Sequence, residues 1–390
     1  MKRKQNPTRR FIGVFFLSLG VPLVAHRISA QPVGTGATLD FRPITGPLSC
    51  ANSSCHGGAD EKSRQFVTWS QHDVHSRAYA TLTTARAARM AEALKIPDAT
   101  TSARCTTCHA PVQTVAPSLR AADAHIADGV SCVSCHGPSD PWLRTHTRLD
   151  LTHDDRVAGG MRDLRNLYHR ANACVSCHQN LESEVVGVGR HPALHFELDG
   201  LTHSQPMHWR EPAGRSGAQA WLVGQAVALR ETSAALTSGQ ADISREVPRW
   251  QALVWLVQRA GSEGTTTALG KLSLEAVPAN FAVARQVADQ VAQHSANAWS
   301  ATDAKPALTR LAKTHAEFRD ANISALAHAC RAERLVMALD RLLAALPAGE
   351  APREASAQLN KLFRLVQSQP EFAPVVFATE LAIFSQLFGK

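Results

Sequence analysis

The sequence predicts a mainly α protein with little regular sheet, in two parts. The first is organised around covalently held groups rather than its own apolar side chains; the second is an α-helical bundle. Two observations carry this. Eight of the nine cysteines fall between residues 50 and 177, in a repeated spacing with histidine and in a stretch rich in polar residues, Gly and Pro. From about residue 216 the composition shifts to Ala, Leu, Val and Gln, with apolar residues three and four apart.

Residues 1–30 stand apart. Lys2, Arg3, Lys4, Arg9 and Arg10 precede the apolar run "FIGVFFLSLGVPLVA", and "RISA" ends in a small residue before Gln31. This pattern predicts a secretion signal that is removed. The run is short for a membrane anchor and is interrupted by Pro22, so no stable span is expected after cleavage. The same stretch holds six Lys and Arg and no acid, and without it the formal charge of +8 falls to +2. A basic surface for nucleic acid therefore has little support.

Many cysteines in an exported chain would ordinarily mean disulfides, but their spacing argues otherwise. "CTTCH" (Cys105, Cys108, His109), "CVSCH" (Cys132, Cys135, His136) and a second "CVSCH" (Cys174, Cys177, His178) are strict repeats of one pattern. With 9 Cys and 18 His in 390 residues, chance would supply about 0.01 such matches. The pattern has a chemical reason: two thiols bond to the two vinyl groups of a haem, and the adjacent histidine binds the iron. Such attachment takes place outside the cytoplasm in bacteria, in keeping with the signal. "CANSSCH" (Cys50, Cys55, His56) is a longer variant whose Asn-Ser-Ser insertion suits an outward loop. The sequence thus predicts four covalently bound c-type haems. Zinc sites and thioredoxin-like centres use the same cysteine pairs, yet neither explains a histidine after every second cysteine. Cys330 has no second cysteine nearby and reads as a buried or free thiol.

A second axial ligand is needed on each closed iron. Histidine is abundant for this: ten lie outside the motifs between the first motif and residue 210, whereas only His294, His315 and His328 follow residue 212. The stretch from Arg64 to Ile96 reads as one long helix stopped by Pro97, with His72, His75 and Tyr79 on one face. His146 follows the third motif. His191 lies in "GVGRHPAL", where Pro192 holds it extended and the glycines allow close approach. His208 sits in "QPMHW", with Met207 as its rival. The distal candidates are His75, His146, His191 and His208. Two histidines on one iron favour low potentials.

The motifs, together with "TWSQHDVHSRAY", "DGVSCVSCHGPSDPWLRTH" and "GRHPALHFELDGLTHSQPMHW", make the chain resemble the cytochrome c-554 type of multihaem cytochromes c over roughly residues 48–212. The resemblance implies haems packed in close pairs, with ligands crossing between distant motifs. It places His146 on the haem of His56, His75 on that of His136, and His208 or His191 on that of His178. It further implies an open iron at His109, which His191 or His208 could close. The lengthened first motif and the region after residue 212 depart from the family.

The expected organisation is a signal peptide (1–30), a tetrahaem cytochrome c domain with a haem core (31–212) and an α-helical domain (213–390). The last is read as five or six helices, with breaks near "SREVP", "GSEGTTT", "LPAGEAP" and "SQPEFAP". Its amphipathic faces are expected to pack against its own core. The function expected is a periplasmic carrier in respiration, passing electrons between a quinol-linked donor and a terminal acceptor, with no catalytic residues of its own. Two other readings stay open: a haem enzyme reducing a small nitrogen or sulfur compound at one open iron, and a haem-bearing adaptor in a larger redox complex. An enzyme would need acid or cation groups near an open iron, and Arg104, His125 and Asp128 beside the second motif are residue types too common in any sequence to count for it.

Overall fold

The run Gly217–Thr237 is apolar on every side, and a helix of that kind belongs in the middle of a protein. It does so here: in the computed structural model, nearly every residue from Ala218 to Leu236 is buried. The structure describes residues 42–239, 241–299, 301–367 and 372–388. The expected secretion signal lies outside them.

The motif-bearing part contains α1 (Gln65–His72), α2 (Ala85–Ala93), α3 (Ala103–His109), α4 (Cys132–His136), α5 (His153–Ala158), α6 (Leu167–His178), α7 (Ser183–Gly187) and α8 (Leu198–Ser204). There follow α9 (Gly217–Thr237), α10 (Ile243–Ala260), α11 (Thr266–Leu269), α12 (Pro278–Ala298), α13 (Ala304–Ala312), α14 (Ala325–Ala344), α15 (Ala355–Gln367) and α16 (Pro374–Gln386). Among the described residues there is no β-strand, only one parallel bridge between Ile44 and Arg120. The protein is mainly α, as the sequence predicts. No helix of the described residues is long and apolar enough to cross a membrane.

The long helix expected from Arg64 to Ile96 is broken twice, for local reasons. Asp73 is extended, and its side chain accepts the backbone N–H of His75 and so starts a new turn. Thr84 does the same for Ala87. Short polar side chains that bind nearby N–H groups compete with helix in this way. The first break turns His72 to solvent and places Asp73 in the interior.

The two parts differ in how they fill their interiors. Between residues 42 and 140 the apolar clusters are small: Ile44, Val112, Val115 and Val133 in one, Leu82, Ala87, Ala91 and Ala99 in another. The helices from α9 onward build two large cores. Leu335, Leu339 and Leu342, at helical spacing on α14, are all fully buried. Among the described residues eight helices rather than five or six make up this part, because the four-residue α11, α13 and α15 are distinct elements and "SREVP" does not break the chain. Asp242 caps the N–H of Ser244, and α10 runs on with Pro248 in its second turn.

The parts are not separate bodies. Apart from residues 1–34 the chain is one compact unit, so the expected boundary at 212/213 falls within it. Leu167, Ala171 and Val175 of α6, with Phe196 and Leu198, share a core with α9, α10 and α12. A Cβ on Gly224 of α9 would stand 2.9 Å from the Leu198 backbone nitrogen, so that glycine permits the close crossing. A buried polar clasp reinforces the seam. Tyr168 of α6 donates to Asp289 Oδ1 at 2.7 Å, Arg230 of α9 donates to the same oxygen at 2.8 Å, and Arg230 also binds Glu231 and Asn172. At the end of α6, Gln179 donates to the carbonyl of Ala228 at 2.8 Å.

Candidate haem-binding site

The three strict motifs each end a helix. His109, His136 and His178 are the last residues of α3, α4 and α6, and helical spacing puts the two cysteines of each pair on one face with the histidine one step on. The first motif differs. Asn52 to Cys55 form an exposed turn in which the Asn52 carbonyl accepts from Cys55 N and Gly57 N, both at 2.9 Å, and its side chain accepts from Ser54 N. The two extra residues bulge outward, and His56 still turns inward.

Each of three motif histidines faces one histidine from elsewhere. The ring centres of His56 and His146 are 6.2 Å apart, with planes 11° from parallel. Those of His75 and His178 are 6.0 Å apart at 87°, and those of His109 and His191 are 6.3 Å apart at 69°. Metal–imidazole bonds are about 2.0–2.1 Å long, and a ring nitrogen lies about 1.1 Å from its ring centre, so one metal between two imidazoles separates the centres by about 6.3 Å. The spacing is that of two axial ligands on a single ion. His136 is enclosed, and burial, then the neighbouring His208, pushes its pKa down to about 4.

The second ring nitrogens fix the tautomer. Nδ1 of His146 donates to the Leu143 carbonyl at 2.7 Å, that of His109 to the Ala78 carbonyl at 3.0 Å, and that of His191 to the Pro192 carbonyl at 2.8 Å. His208 Nδ1 donates to the Pro206 carbonyl at 3.3 Å, and His56 Nδ1 lies 3.0 Å from Gln65 Oε1. A carbonyl can only accept, so these rings carry the proton on Nδ1 and leave Nε2 free to bind metal. His75 donates instead to the buried carboxylate of Asp73, at 2.9 Å. Although burial opposes it, the bond from His75 holds the pKa of Asp73 down at about 2, with help from Gln205.

The thiols order the motifs in space. Cys50 lies beside Cys132, and Cys108 beside Cys177. Cys135 neighbours both Cys177 and Cys174. Burial pushes Cys135 up to about 11 and Cys174 up to about 12. Motif one therefore adjoins motif three, three adjoins four, and four adjoins two. None of the nine cysteines is in a disulfide; Cys330 is a buried thiol, as expected.

These residues fit haem. Paired thiols, a histidine beside each pair and free Nε2 atoms at two-ligand spacing are the donor set that it requires. Trp142, which packs on His146 with ring centres 5.3 Å apart, has a buried Nε1–H without a protein acceptor, a donor available to a haem carboxylate. An open groove beside His56, lined by Gly57, Val67, Thr68, His72 and Met207, adds room.

Residues 49–137 match the family model described as cytochrome c554 and c-prime. Over this segment, less than a quarter of its length, the chain is similar to the cytochrome c554 type. The match supports a c-type haem protein of electron transfer, in which the cysteine pairs would hold haem through thioether bonds. The match takes in the first three motifs and ends just past His136; the fourth motif and the candidates His146, His191 and His208 lie beyond it. Comparison with curated proteins and with solved structures gave no match.

The histidine pairings differ in part from those the resemblance implies. His146 does face His56. His75, assigned to the haem of His136, faces His178, because the break at Asp73 turns it toward α6. His191 faces His109, the position implied to be open, and His208 neighbours His136. The groups weighed for an enzyme are engaged: Arg104 binds Glu182 at 2.6 Å and Glu184 at 2.8 Å, and Asp128 accepts the backbone N–H of His125 at 3.0 Å. The sequence reading missed Asp73, Gln65 and Trp142. Only Asp73 had a signal, as an Asx two residues before a histidine.

Proposed function

We propose that the protein is a periplasmic tetrahaem cytochrome c, exported by its N-terminal signal, that carries electrons between redox protein partners, a quinol-linked donor and a terminal acceptor, in respiration. The observation that carries the reading is the pairing of motif histidines with histidines from other parts of the chain at two-ligand spacing. Bound haem supplies a one-electron couple at its iron.

The chain's own residues account for the rest. The cysteines would anchor haem, His56, His109, His136 and His178 would bind iron from the motifs, and His146, His191, His208 and His75 would supply the second ligands. Closed coordination denies small molecules access to the iron, which favours a carrier over an enzyme. The order one, three, four, two among the thiols gives a continuous series of neighbours, so electrons entering at one end can leave at the other. The helices from α9 onward hold α6, and with it the fourth motif, in place.

Haem content per chain, with absorption spectra in the presence and absence of carbon monoxide, tests this. Four haems that stay low spin and ignore carbon monoxide are expected. A high-spin, carbon-monoxide-reactive haem in the native protein would favour the enzyme reading instead.

A further inference from the structure

We infer that Asp73 is a positioning residue that makes the haem shared by His75 and His178 the lowest in potential of the set. The inference rests on the four-haem reading above and deepens it. Its basis is a difference among ligands of the same kind. For His109, His146, His191 and His208 the acceptor of the Nδ1 proton is a backbone carbonyl, and for His56 it is the Gln65 side-chain amide. For His75 it is a carboxylate, at 2.9 Å, on a residue with 0% exposure.

The other contacts of Asp73 leave its charge directed at the ring. Oδ1 also accepts the His75 backbone N–H at 3.0 Å, and Oδ2 accepts from Gln205 Nε2 at 2.9 Å. All are neutral amides apart from the imidazole itself. The loop behind His75 is clamped as well. Val130 N donates to the His75 carbonyl at 2.9 Å, and Gly129, at φ +64°, passes so close that a Cβ there would stand 2.5 Å from that oxygen. A carboxylate behind a ligating imidazole raises the basicity of the metal-binding nitrogen. A buried charge is also felt more strongly than one in water. Both effects stabilise the ferric state over the ferrous state, and so lower the potential.

The test is a redox titration of the holoprotein followed by electron paramagnetic resonance. Near-perpendicular imidazole planes give a strongly anisotropic low-spin signal and near-parallel planes an ordinary rhombic one, so the His75–His178 haem can be told from the His56–His146 haem. In Asp73→Asn the haem at His178 is expected to be reduced more readily, by about tenfold in its ferrous-to-ferric ratio at fixed potential, which is 59 mV for one electron. In Gln205→Leu, which keeps the carboxylate and removes a donor from it, the shift is expected in the opposite direction. Should Asp73→Asn fail to retain its haems, Gln205→Leu decides alone. Wild-type titration of that haem in every variant that retains its haems, or an equal shift of all haems, overturns the inference while leaving the four-haem reading intact. A haem content other than four overturns the reading itself.

Discussion

The imidazole of His191 faces that of His109 across 6.3 Å, ring centre to ring centre. His191 is held there by its neighbours: its N–H donates to the Val185 carbonyl at 3.1 Å, and Arg190 before it adopts φ +61°. The resemblance to the cytochrome c-554 type implied an open iron at this position. With His191 in place, carbon monoxide should not bind to the native protein. In His191→Ala one haem is expected to become high spin and to bind carbon monoxide, read from the absorption spectrum; an unchanged spectrum would remove His191 from the site.

The pairing of His75 with His178 rather than His136 can be checked separately. His75→Ala should remove the most anisotropic component of the resonance signal, from planes at 87°, whereas His146→Ala should remove the rhombic component from planes at 11°. Loss of the same signal in both variants would refute the pairing.

Removal of the helices after residue 212 should not yield a smaller working carrier. It would strip the cover from Leu167, Ala171, Val175, Phe196 and Leu198. Limited proteolysis of such a truncation, beside the full chain, should show rapid loss of α6 and its haem.

The clasp at the seam should matter for stability. Arg230 is 3% exposed and joins Glu231, Asp289 and Asn172. Arg230→Met leaves the buried Glu231 and the half-buried Asp289 without their cation and should cost about 3 kcal/mol. Tyr168→Phe removes one hydrogen bond and should cost about 1 kcal/mol. Denaturant unfolding of the holoprotein measures both.

Acid should weaken the Arg170–Glu211 pair, which ties α6 to the segment after His208. Burial works against the Glu211 charge, but Arg170 at 2.5 Å and Trp209 at 2.7 Å hold its pKa below the usual carboxylate range. A group whose pKa is depressed on folding contributes stability above its unfolded value, about 4.3 for Glu, and loses it as pH falls through the folded value. Stability profiles of wild type and Glu211→Gln should therefore differ at neutral pH and converge as the pH falls below about 4.

Much of this was legible in the chain. The motifs name their own chemistry, and the bundle helices around Trp221, Val287 and Leu339 show their period. What was hidden is long-range. The pairing of His75 with α6 depends on a break at Asp73 that a helix-rich context masks, and the burial of α9 on every side depends on Leu198 crossing at Gly224. Trp142 and Gln65 act through contacts that no spacing in the sequence records.

The spatial order of the motifs has a consequence for how the molecule is made. If the chain is exported and carries four haems as proposed, it would emerge from its N-terminus, so the first motif would be available for haem attachment long before the third, beside which it finally sits, and the second long before the fourth. His56 likewise waits for His146, and His109 for His191, each far downstream. Early haems must therefore spend part of biogenesis with one protein ligand and an exposed edge. On that reading the His75–His178 pair would close only when α6 docks, so the last steps of maturation should resemble the snapping shut of one assembly rather than the addition of four beads to a string.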